Sequence, residues 1–434
     1  KVQKKMEKQM QELKKITQPM EEAVQKTAET AVKEVTEVAR GAHTLGGKFL
    51  KGIINVMTAA SPGKTRVYLP APSANPNSGV TVGFLPVFLF VGKNEVVKHI
   101  LAPSVTHNNI FGVTSTMRYY WYPKVGAQLF SIGSYALETN RRFTLRYEDP
   151  HYYEEKLYIK FDYTFQQEGS TRFSGFGTDT RIEDRANYTI RENHLQVYTG
   201  VNFLEHGRFT LGHRIRQADV YNGPIDSLPR ITNFSPRPEG VEKKVLVLTQ
   251  KAALLYDSRN LPMAPVSGHY AEVFGEFAGH IGGDARYAKA GGEVRGFYPS
   301  ETRRFVTAWR FLAEAQESGS NVPFYERAQL GGRDSLRGYG DGRFADLGKT
   351  QFSLEERVRL YTLSAFNVNV DFEAAPFYEA GTVFNRAGLI KGSDLHHVGG
   401  IGFRAVVRPN VVGVVDVSLG DEGTAVFVGI DYPF

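Results

Sequence analysis

Two different periods of apolar residues divide the chain of 434 residues. Over residues 2–58, apolar side chains return every three, four or seven positions, with charged residues between them. This spacing predicts an amphipathic helix, and Pro19 predicts a break or kink near Thr17 or Gln18. From about residue 80 onward the period changes to two, which predicts β-strands.

The period-two region contains several clear strand segments separated by turn sequences such as "YNGPIDSLP" and "SPRPEG". No helical pattern of useful length interrupts them, so an antiparallel meander is favoured over βαβ units. The clearest segments are residues 118–123, 156–165, 245–256, 269–279, 304–315 and 423–434.

The two faces of these strands distinguish a sandwich from a membrane barrel. On residues 352–361, one face carries Ser353, Glu355, Arg357 and Arg359, and the other is mainly apolar. A barrel turns such a charged face to a wet lumen and the apolar face to lipid, and the aromatic run at residues 119–122 fits an interfacial girdle. Residues 80–434 hold about sixteen spans of roughly 9–11 residues with their turns. We therefore predict an all-β membrane protein with about 16 antiparallel strands in a transmembrane β-barrel, preceded by an α-helical extension.

The expected domains are a helical periplasmic arm over residues 1–60, a Pro-rich linker over residues 61–79 and the barrel over residues 80–434. The arm has two open interpretations. It is an ordinary amphipathic helix packed on its own protein, or an arm that binds a partner or oligomerises. Its heptad pattern is too short and too rich in Ala and Thr for a long coiled coil.

The composition of the chain excludes several kinds of site and partner. The chain has no Cys, which excludes disulfides, thiolate metal sites and cysteine nucleophiles. The net charge is only +6, so no nucleic-acid partner is expected. No run of about 18 apolar residues predicts a transmembrane helix. Because the chain begins with Lys1, we interpret it as a processed chain whose signal peptide has been removed.

Two stretches share an Arg-Gly-aromatic triplet after a Gly-Gly pair: "GGEVRGFYPS" (residues 291–300) and "GGRDSLRGYG" (residues 331–340). In the first, Arg295 lies within the alternation and shares a face with Lys289 and Glu293. It is expected to be one lumen-facing charge on a strand. In the second, Arg337 follows a spacer and precedes a Gly- and Asp-rich loop.

Further segments accompany the second stretch in order: "LYDSRNLPMAPVSGHY" (255–270), "FSLEER" (352–357), "FYEAGTVF" (377–384) and the terminal "VFVGIDYPF". Together they resemble the BamA/TamA superfamily of outer-membrane barrels (the bacterial surface antigen family). In that family, a long extracellular loop folds back into the lumen. The resemblance covers roughly the last 180 residues. Members usually carry periplasmic POTRA repeats of roughly 75 to 80 residues each. Residues 1–79 do not show the β-α-α-β-β pattern of such a repeat.

The resemblance implies three sets of site residues. One carboxylate partner expected for the lumen-loop motif is Glu379, at a position where the family usually has Asp. The final strand resembles the C-terminal insertion signal of bacterial outer-membrane barrels. The sets are the lumen-loop motif Gly331, Gly332, Leu336, Arg337, Gly338 and Tyr339; its partners Glu355, Phe377, Glu379 and Gly381; and the insertion signal Phe427, Tyr432 and Phe434.

The chemistry of these residues fits a clasp. Gly331 and Gly332 allow the backbone conformations of a loop that turns back. Arg337 offers five donors in a planar fork, and Glu355 and Glu379 on lumen faces are expected to hold it. Because a wet lumen screens charges, Arg337→Ala is expected to impair function more than folding.

No enzymatic function is expected. The sequence lacks Gly-x-Ser-x-Gly, His-Glu-x-x-His and a Walker loop. His396 and His397 are adjacent and therefore predict no metal site. Lumen carboxylates such as Glu293 are not an acid–base set by default. We expect no cofactor and no metal.

The resemblance implies two classes of function. In the first, a lateral seam between the first and last strands serves outer-membrane biogenesis, by inserting client barrels or exporting lipid or protein. In the second, the barrel is a plugged translocation channel or a porin-like pore. The expected location is the bacterial outer membrane. Expected partners are its lipid including lipopolysaccharide, a client protein or lipid, and a periplasmic protein bound through residues 1–60. The cargo, the oligomeric state and the placement of the arm stay open.

Overall fold

A computed structural model describes residues 58–434, apart from 62–63, 71–72, 93–96, 125, 137–138, 280, 366–367, 387–389, 408–410 and 431. The helical arm predicted over residues 1–60 lies outside this range except for its last residues, and Thr58–Ser61 is a strand there. Within the described range, no helix is long and apolar enough to cross a membrane.

The described residues form 23 strands and four short 3-10 helices. The 3-10 helices are Ile182–Asp184, Ile231–Asn233, Phe324–Glu326 and Gly392–Asp394. The strands are β1 (Thr58–Ser61), β2 (Lys64–Pro70), β3 (Ser73–Asn75), β4 (Gly79–Val91), β5 (Val97–Leu101), β6 (Ser104–Asn108), β7 (Gly112–Trp121), β8 (Gln128–Ala136), β9 (Asn140–Tyr152), β10 (Leu157–Phe173), β11 (Ala186–Phe203), β12 (Gly207–Asn222), β13 (Lys244–Asp257), β14 (Gly268–Ala278), β15 (Tyr287–Pro299), β16 (Phe305–Ser318), β17 (Ala328–Leu330), β18 (Phe344–Asp346), β19 (Gly348–Ala365), β20 (Val368–Phe384), β21 (His396–Val407), β22 (Val411–Gly420) and β23 (Gly423–Ile430).

The strands other than β17 and β18 form one antiparallel sheet that closes on itself. Neighbours in sequence pair from β7 to β16, then β16 pairs with β19 and the order continues to β23. β5 and β6 together form one interrupted barrel strand between β4 and β7, and β2 and β3 together form another beside β4. Val426 of β23 pairs with Ala74 of β3 and closes the barrel.

Counted in this way, the described residues contain 18 barrel strands, and β1 adds to β2. The all-β antiparallel barrel predicted from the alternation is confirmed, but the predicted number of about 16 strands is wrong. One reason is that residues 61–79, expected to be a linker, contain β2 and β3, which pair with β4. The prolines of that stretch concealed the pattern, and Pro70 occupies the end of a strand, where a missing N–H is tolerated.

Alternation sends apolar side chains outward and polar side chains into the lumen. On β10, Phe161 is 37% exposed on the outer wall, whereas the adjacent Asp162 is buried at 6%. Exposed apolar side chains form a wide belt around the outside of the barrel, as expected of a wall that faces lipid. Its most exposed members include Val82, Phe84, Val105, Met117, Phe143, Val201, Leu211, Ile215, Leu254, Val273, Phe277 and Phe403.

Connections differ between the two ends of the barrel. One end, called here the long-loop end, carries the segments 174–185, 223–243 and 319–347. The short-turn end carries connections such as residues 153–156 and 204–206, together with the end of β23. At the long-loop end, the loops enclose an apolar cluster of their own. It includes Phe173, Tyr188, Ile231, Val241 and Phe324.

Candidate functional site

Residues 319–347, called here the lumen loop, run from β16 to β19 and fold back against the inner wall. Within the loop, β17 and β18 pair as a two-stranded hairpin. Gly331 and Gly332 follow β17 with φ angles of 111° and 96°, which side chains other than glycine rarely adopt. The Gly332 N–H donates to the Tyr339 carbonyl at 3.1 Å, which holds the tip in a compact turn.

Arg337 lies at the tip of the lumen loop and is completely buried. Its Nε donates to Oε1 of Glu379 at 2.9 Å, and its backbone N–H donates to Oε2 of the same carboxylate at 2.8 Å. Its Nη1 donates to Asp416 at 3.2 Å and reaches Glu355 at 3.5 Å. The structure therefore brings Arg337 to both predicted carboxylates and to a third that the sequence analysis did not select.

Two further arginines complete the charge balance. Arg404 donates to Glu355 at 2.7 Å and to Asp416 at 3.4 Å. Arg357 donates to Glu355 at 2.7 Å. The arginine–carboxylate cluster thus consists of Arg337, Arg357, Arg404, Glu355, Glu379 and Asp416, and each is at most 2% exposed. Three positive and three negative charges meet away from bulk water.

Burial and the carboxylates act in opposite directions on the Arg337 guanidinium. Burial opposes the charged form, but the negative charges of Glu379, Asp416 and Glu355 outweigh it. The pKa of Arg337 is therefore raised above its usual value. Arg337 stays charged, and the cluster acts as a fixed ionic clamp on the loop tip.

Aromatic and glycine residues shape the space around this clamp. The Phe377 ring lies beneath the guanidinium, with its centroid 3.4 Å from Cζ of Arg337. A Cβ on Gly338 would lie 2.8 Å from Cγ2 of Val398 and 3.0 Å from Cα of Gly420. Glycine at position 338 is therefore required by the close passage of the loop along the wall.

The remaining motif residues also contact the inner wall. Leu336 is fully buried in an apolar cluster with Tyr339 and Phe377. The Tyr339 hydroxyl donates to Asp421 at 3.0 Å. A Cβ on Gly381 would approach the Thr350 carbonyl oxygen to 2.9 Å. All ten predicted motif and partner residues thus lie in one region of the lumen.

The predicted C-terminal signal residues also face inward. Phe427 pairs in register with Asp416, which points into the lumen. Tyr432 donates to Glu373 at 2.8 Å, and its ring lies 3.8 Å from Cζ of Arg357. Phe434 packs with Phe297 and Ala308, and its carbonyl accepts a bond from Arg357 at 3.4 Å. Arg357 therefore links Phe434 to the arginine–carboxylate cluster. These residues lie on the lumen side of the barrel and not on its outer wall.

No sequence motif indicated Asp416 or Arg404 as site residues. Asp416 alternates with Ser418 in a strand otherwise rich in valine, and Arg404 lies within the apolar stretch "GFRAVV". A lone charge in an apolar strand of a barrel is expected to face the lumen. That signal predicts the orientation of both residues, but the identity of their partner depends on the arrangement of the loop.

A second clamp, also missed, holds the beginning of the lumen loop. Glu326 accepts bonds from Arg214 at 2.5 Å, Arg216 at 2.9 Å and the Tyr287 hydroxyl at 3.0 Å. Burial alone would raise the pKa of Glu326, but the charges of Arg214 and Arg216 lower it to about 2. Glu326 is therefore an ionised anchor in a largely dry site.

Arg295, from the other Arg-Gly-aromatic triplet, has a different environment. It lies on β15, its Nε donates to Glu293 of the same strand, and its guanidinium lies 5.0 Å from the centroid of the Tyr270 ring. These contacts belong to the barrel wall. Arg295 is a lumen-facing wall charge, as the alternation predicted.

The junction of β3 with β23, called here the seam, closes the barrel. Among the described residues, β23 and β3 share a single bridge, Val426 with Ala74, whereas β22 and β23 pair over eight positions. In the same described range, no group of three His, Cys, Asp or Glu side chains is arranged to hold a metal ion.

Three solved structures are similar to this chain to different degrees. BamA from Haemophilus ducreyi lacking POTRA domains 1–3 has a similar fold, with a TM-score of 0.50 and 15% identity, over 84% of this chain and 74% of that chain. CdiB from Acinetobacter baumannii gives a TM-score of 0.42 at 11% identity, over 85% of this chain and 59% of CdiB. CdiB from Escherichia coli gives 0.44 at 11% identity, over 86% and 62%. No curated protein matches the sequence.

A family model for the Omp85 superfamily domain matches residues 125–401, which is more than half of the chain. The match includes the lumen loop and both of its predicted carboxylate partners. The chain therefore belongs to the Omp85 superfamily of outer-membrane β-barrels.

Proposed function

We propose that this protein acts in outer-membrane biogenesis by presenting the seam between β3 and β23 to a client. The client is a strand of a second barrel that is being inserted, or a protein or lipid that is being exported. The single bridge between Val426 and Ala74 among the described residues carries the proposal. An incompletely paired edge recruits an extended segment through main-chain hydrogen bonds.

The lumen loop supports this proposal by keeping the wall near the seam in place. Its tip is bound to β19, β20 and β22 through Glu355, Glu379 and Asp416. β22 is the strand that carries β23, the last strand of the seam. With β22 fixed by the loop, β23 is free to separate from β3 without the barrel losing its remaining order. The activity needs no catalytic group and no cofactor.

A disulfide across the seam tests the proposal directly. Ala74→Cys with Val426→Cys joins residues that are paired across the seam, and the chain has no cysteine of its own. The matched control, Ile401→Cys with Val417→Cys, joins a directly opposed pair on β21 and β22. We expect the seam disulfide to abolish assembly of a model client barrel in liposomes and reductant to restore it, while the control stays active. Full activity of the oxidised seam variant would refute a lateral opening.

A plugged translocation channel is the second candidate. It is favoured by the lumen loop, which is anchored inside the barrel by Glu326 and Arg337. A porin-like pore is less favoured for the same reason, since a clamped loop occupies the passage. Depletion of the protein, followed by comparison of outer-membrane protein and lipid content, separates assembly from transport. Loss of particular barrels indicates assembly, and a changed lipid composition indicates lipid export.

Residues 1–60 are proposed to bind a periplasmic protein that delivers the client. Their apolar residues recur every three to four positions, which favours an amphipathic helix. The apolar face of such a helix fits a groove on a partner. Affinity capture should compare the whole chain with a chain that lacks residues 1–57. A partner recovered equally by both would show that the arm is not its binding site.

A further inference from the structure

A row of charged and aromatic side chains crosses the outer wall near the long-loop end. Directly opposed residues in an antiparallel sheet point to the same face. The pairing Tyr135–Arg141–Gln167–Arg191–Asp219–Lys244 runs across β8 to β13. Tyr135 is 49% exposed, which places this face outside the lumen.

The two arginines of this row lack acidic partners. Arg141 and Arg191 are both exposed. In the described structure neither forms an ion pair, and the one contact of the Arg141 guanidinium is the Tyr135 ring, whose centroid lies 5.5 Å away. Asp219 is the acidic member of the row and lies directly opposite both Arg191 and Lys244, so Arg141 is the basic residue farthest from it.

The next outward-facing row towards the middle of the barrel is aromatic on β9 and β10 and continues with Asn193 on β11. Phe143 pairs with Phe165, and Phe143 is 42% exposed. One row further, Leu145, Tyr163 and Leu195 are paired in the same way. On β9 and β10 the outer wall therefore changes from polar to apolar within one repeat of each strand, whereas on β11 Asn193 separates Arg191 from Leu195. Such a change marks the boundary between lipid headgroups and acyl chains.

We propose that Arg141 and Arg191 bind the phosphate of a membrane-lipid headgroup whose acyl chains lie along Phe143 and Phe165. The inference rests on placement of the barrel in the outer membrane. The two arginines are two strands apart, so their backbones are separated by about 10 Å, within reach of one phosphorylated headgroup. Guanidinium groups bind phosphate oxygens through paired, charge-assisted hydrogen bonds.

The chemistry favours a lipid over free phosphate. The positive charges and the aromatic row are contiguous, so a ligand with both a phosphate and acyl chains contacts both. Tyr135 and Tyr221, 49% and 36% exposed on the outer wall, flank the arginines and offer hydroxyl groups at the headgroup level. A site of this kind would fix the depth and orientation of the β9–β11 wall, away from the seam.

The test measures lipid binding by the full chain in detergent micelles. Arg141→Gln with Arg191→Gln removes both charges and keeps polar side chains. Arg304→Gln, an exposed arginine at the short-turn end, is the matched control. Each chain is titrated with fluorescent lipopolysaccharide, with the same lipid after phosphate removal, and with phosphatidylglycerol. The heat-dependent gel mobility of each barrel verifies folding.

We expect the double variant to bind lipopolysaccharide about tenfold more weakly than the parent chain, and the control to bind like the parent. Phosphate removal should abolish the difference between parent and double variant, and high salt should reduce it. A weaker binding of phosphatidylglycerol that responds to the same substitutions would also support a phosphate site.

Two results would overturn the proposal. Equal binding of lipopolysaccharide by the parent and a correctly folded double variant would remove the role of both arginines. Displacement by millimolar inorganic phosphate would show a free-anion site without a lipid contribution. Neither result depends on the seam, so a failure here is distinct from a failure of the assembly activity.

Discussion

At the scale of single residues, burial determines how much the Arg337 charge contributes. The sequence predicted a wet lumen that screens this charge, whereas the structure buries Arg337 completely and every partner to at most 2% exposure. The expectation of strong screening is therefore corrected. Removing one member of a buried ion pair leaves the others uncompensated, which destabilises the fold strongly.

We predict that Arg337→Ala lowers the free energy of unfolding of the loop by about 3–5 kcal/mol. Arg337→Lys should recover only part of this loss, because a lysine cannot donate from a planar fork to Glu379 and Asp416 together. Protease sensitivity of the lumen loop in folded barrels measures the effect. Arg295→Ala, which removes a charge of the wall, is the control.

Double-mutant cycles separate the partners of Arg337. The Arg337 side chain donates to Glu379 at 2.9 Å, whereas it reaches Glu355 only at 3.5 Å. Coupling should therefore be larger for Arg337→Ala with Glu379→Ala than with Glu355→Ala. Couplings no larger than those of distant residues would exclude the clamp.

Glu326 predicts a dependence of stability on pH. Its pKa is lowered to about 2 in the folded chain, against a usual value of about 4.3. Ionised Glu326 therefore contributes up to about 3 kcal/mol of stability above pH 4.3, which is lost as pH falls towards 2. Thermal unfolding of the parent and Glu326→Gln should differ at pH 6 and converge near pH 2. A constant difference would contradict the ionised anchor.

At the scale of elements, Arg357 links the residues that follow β23 to Glu355, a carboxylate that Arg337 of the lumen loop also reaches. Its side chain contacts Glu355 of the cluster, the ring of Tyr432 and the carbonyl of Phe434. Local patterns predicted that the loop motif and the C-terminal aromatic residues matter, but gave no indication that Glu355 and Arg357 connect them. The contact arises because the chain end turns inward instead of continuing along the wall.

Deletion of Phe434 should lower the amount of this protein in the outer membrane. The buried ring packs on Phe297 and Ala308, so the deletion leaves an apolar cavity as well as removing the terminal signal. Quantitative blotting of membrane fractions measures the loss, and Phe434→Leu should retain more protein than the deletion. Normal membrane levels of the deletion would argue against both roles of Phe434.

At the scale of the whole molecule, a clamped loop inside a closed barrel predicts low conductance. Glu326 and Arg337 anchor the lumen loop to separate parts of the described sheet, β12 and β20 among them. Planar bilayers with the parent chain should show small or rare openings. Glu326→Gln combined with Arg337→Ala should increase them severalfold, and Arg295→Ala should not. Large, steady openings of the parent would favour the pore.

The local order of residues determined much of this protein. Period-two alternation predicted the antiparallel barrel and the orientation of Arg295, because the direction of a side chain on a strand depends on its position alone. The motifs around Arg337, Glu355 and Glu379 identified the family, and the Omp85 match confirms that identification. These features are encoded within short segments.

Only the tertiary structure determined which distant groups meet. Arg337 contacts Asp416 across 79 residues of sequence, and Glu326 contacts Arg214 across 112. Among the described residues, the number of barrel strands, the bridge between β3 and β23, and the complete burial of Arg337 follow from closure of the sheet around the loop. Closure fixes distances between segments that no local pattern relates, and these distances decide whether a charge is screened by water or held by a partner.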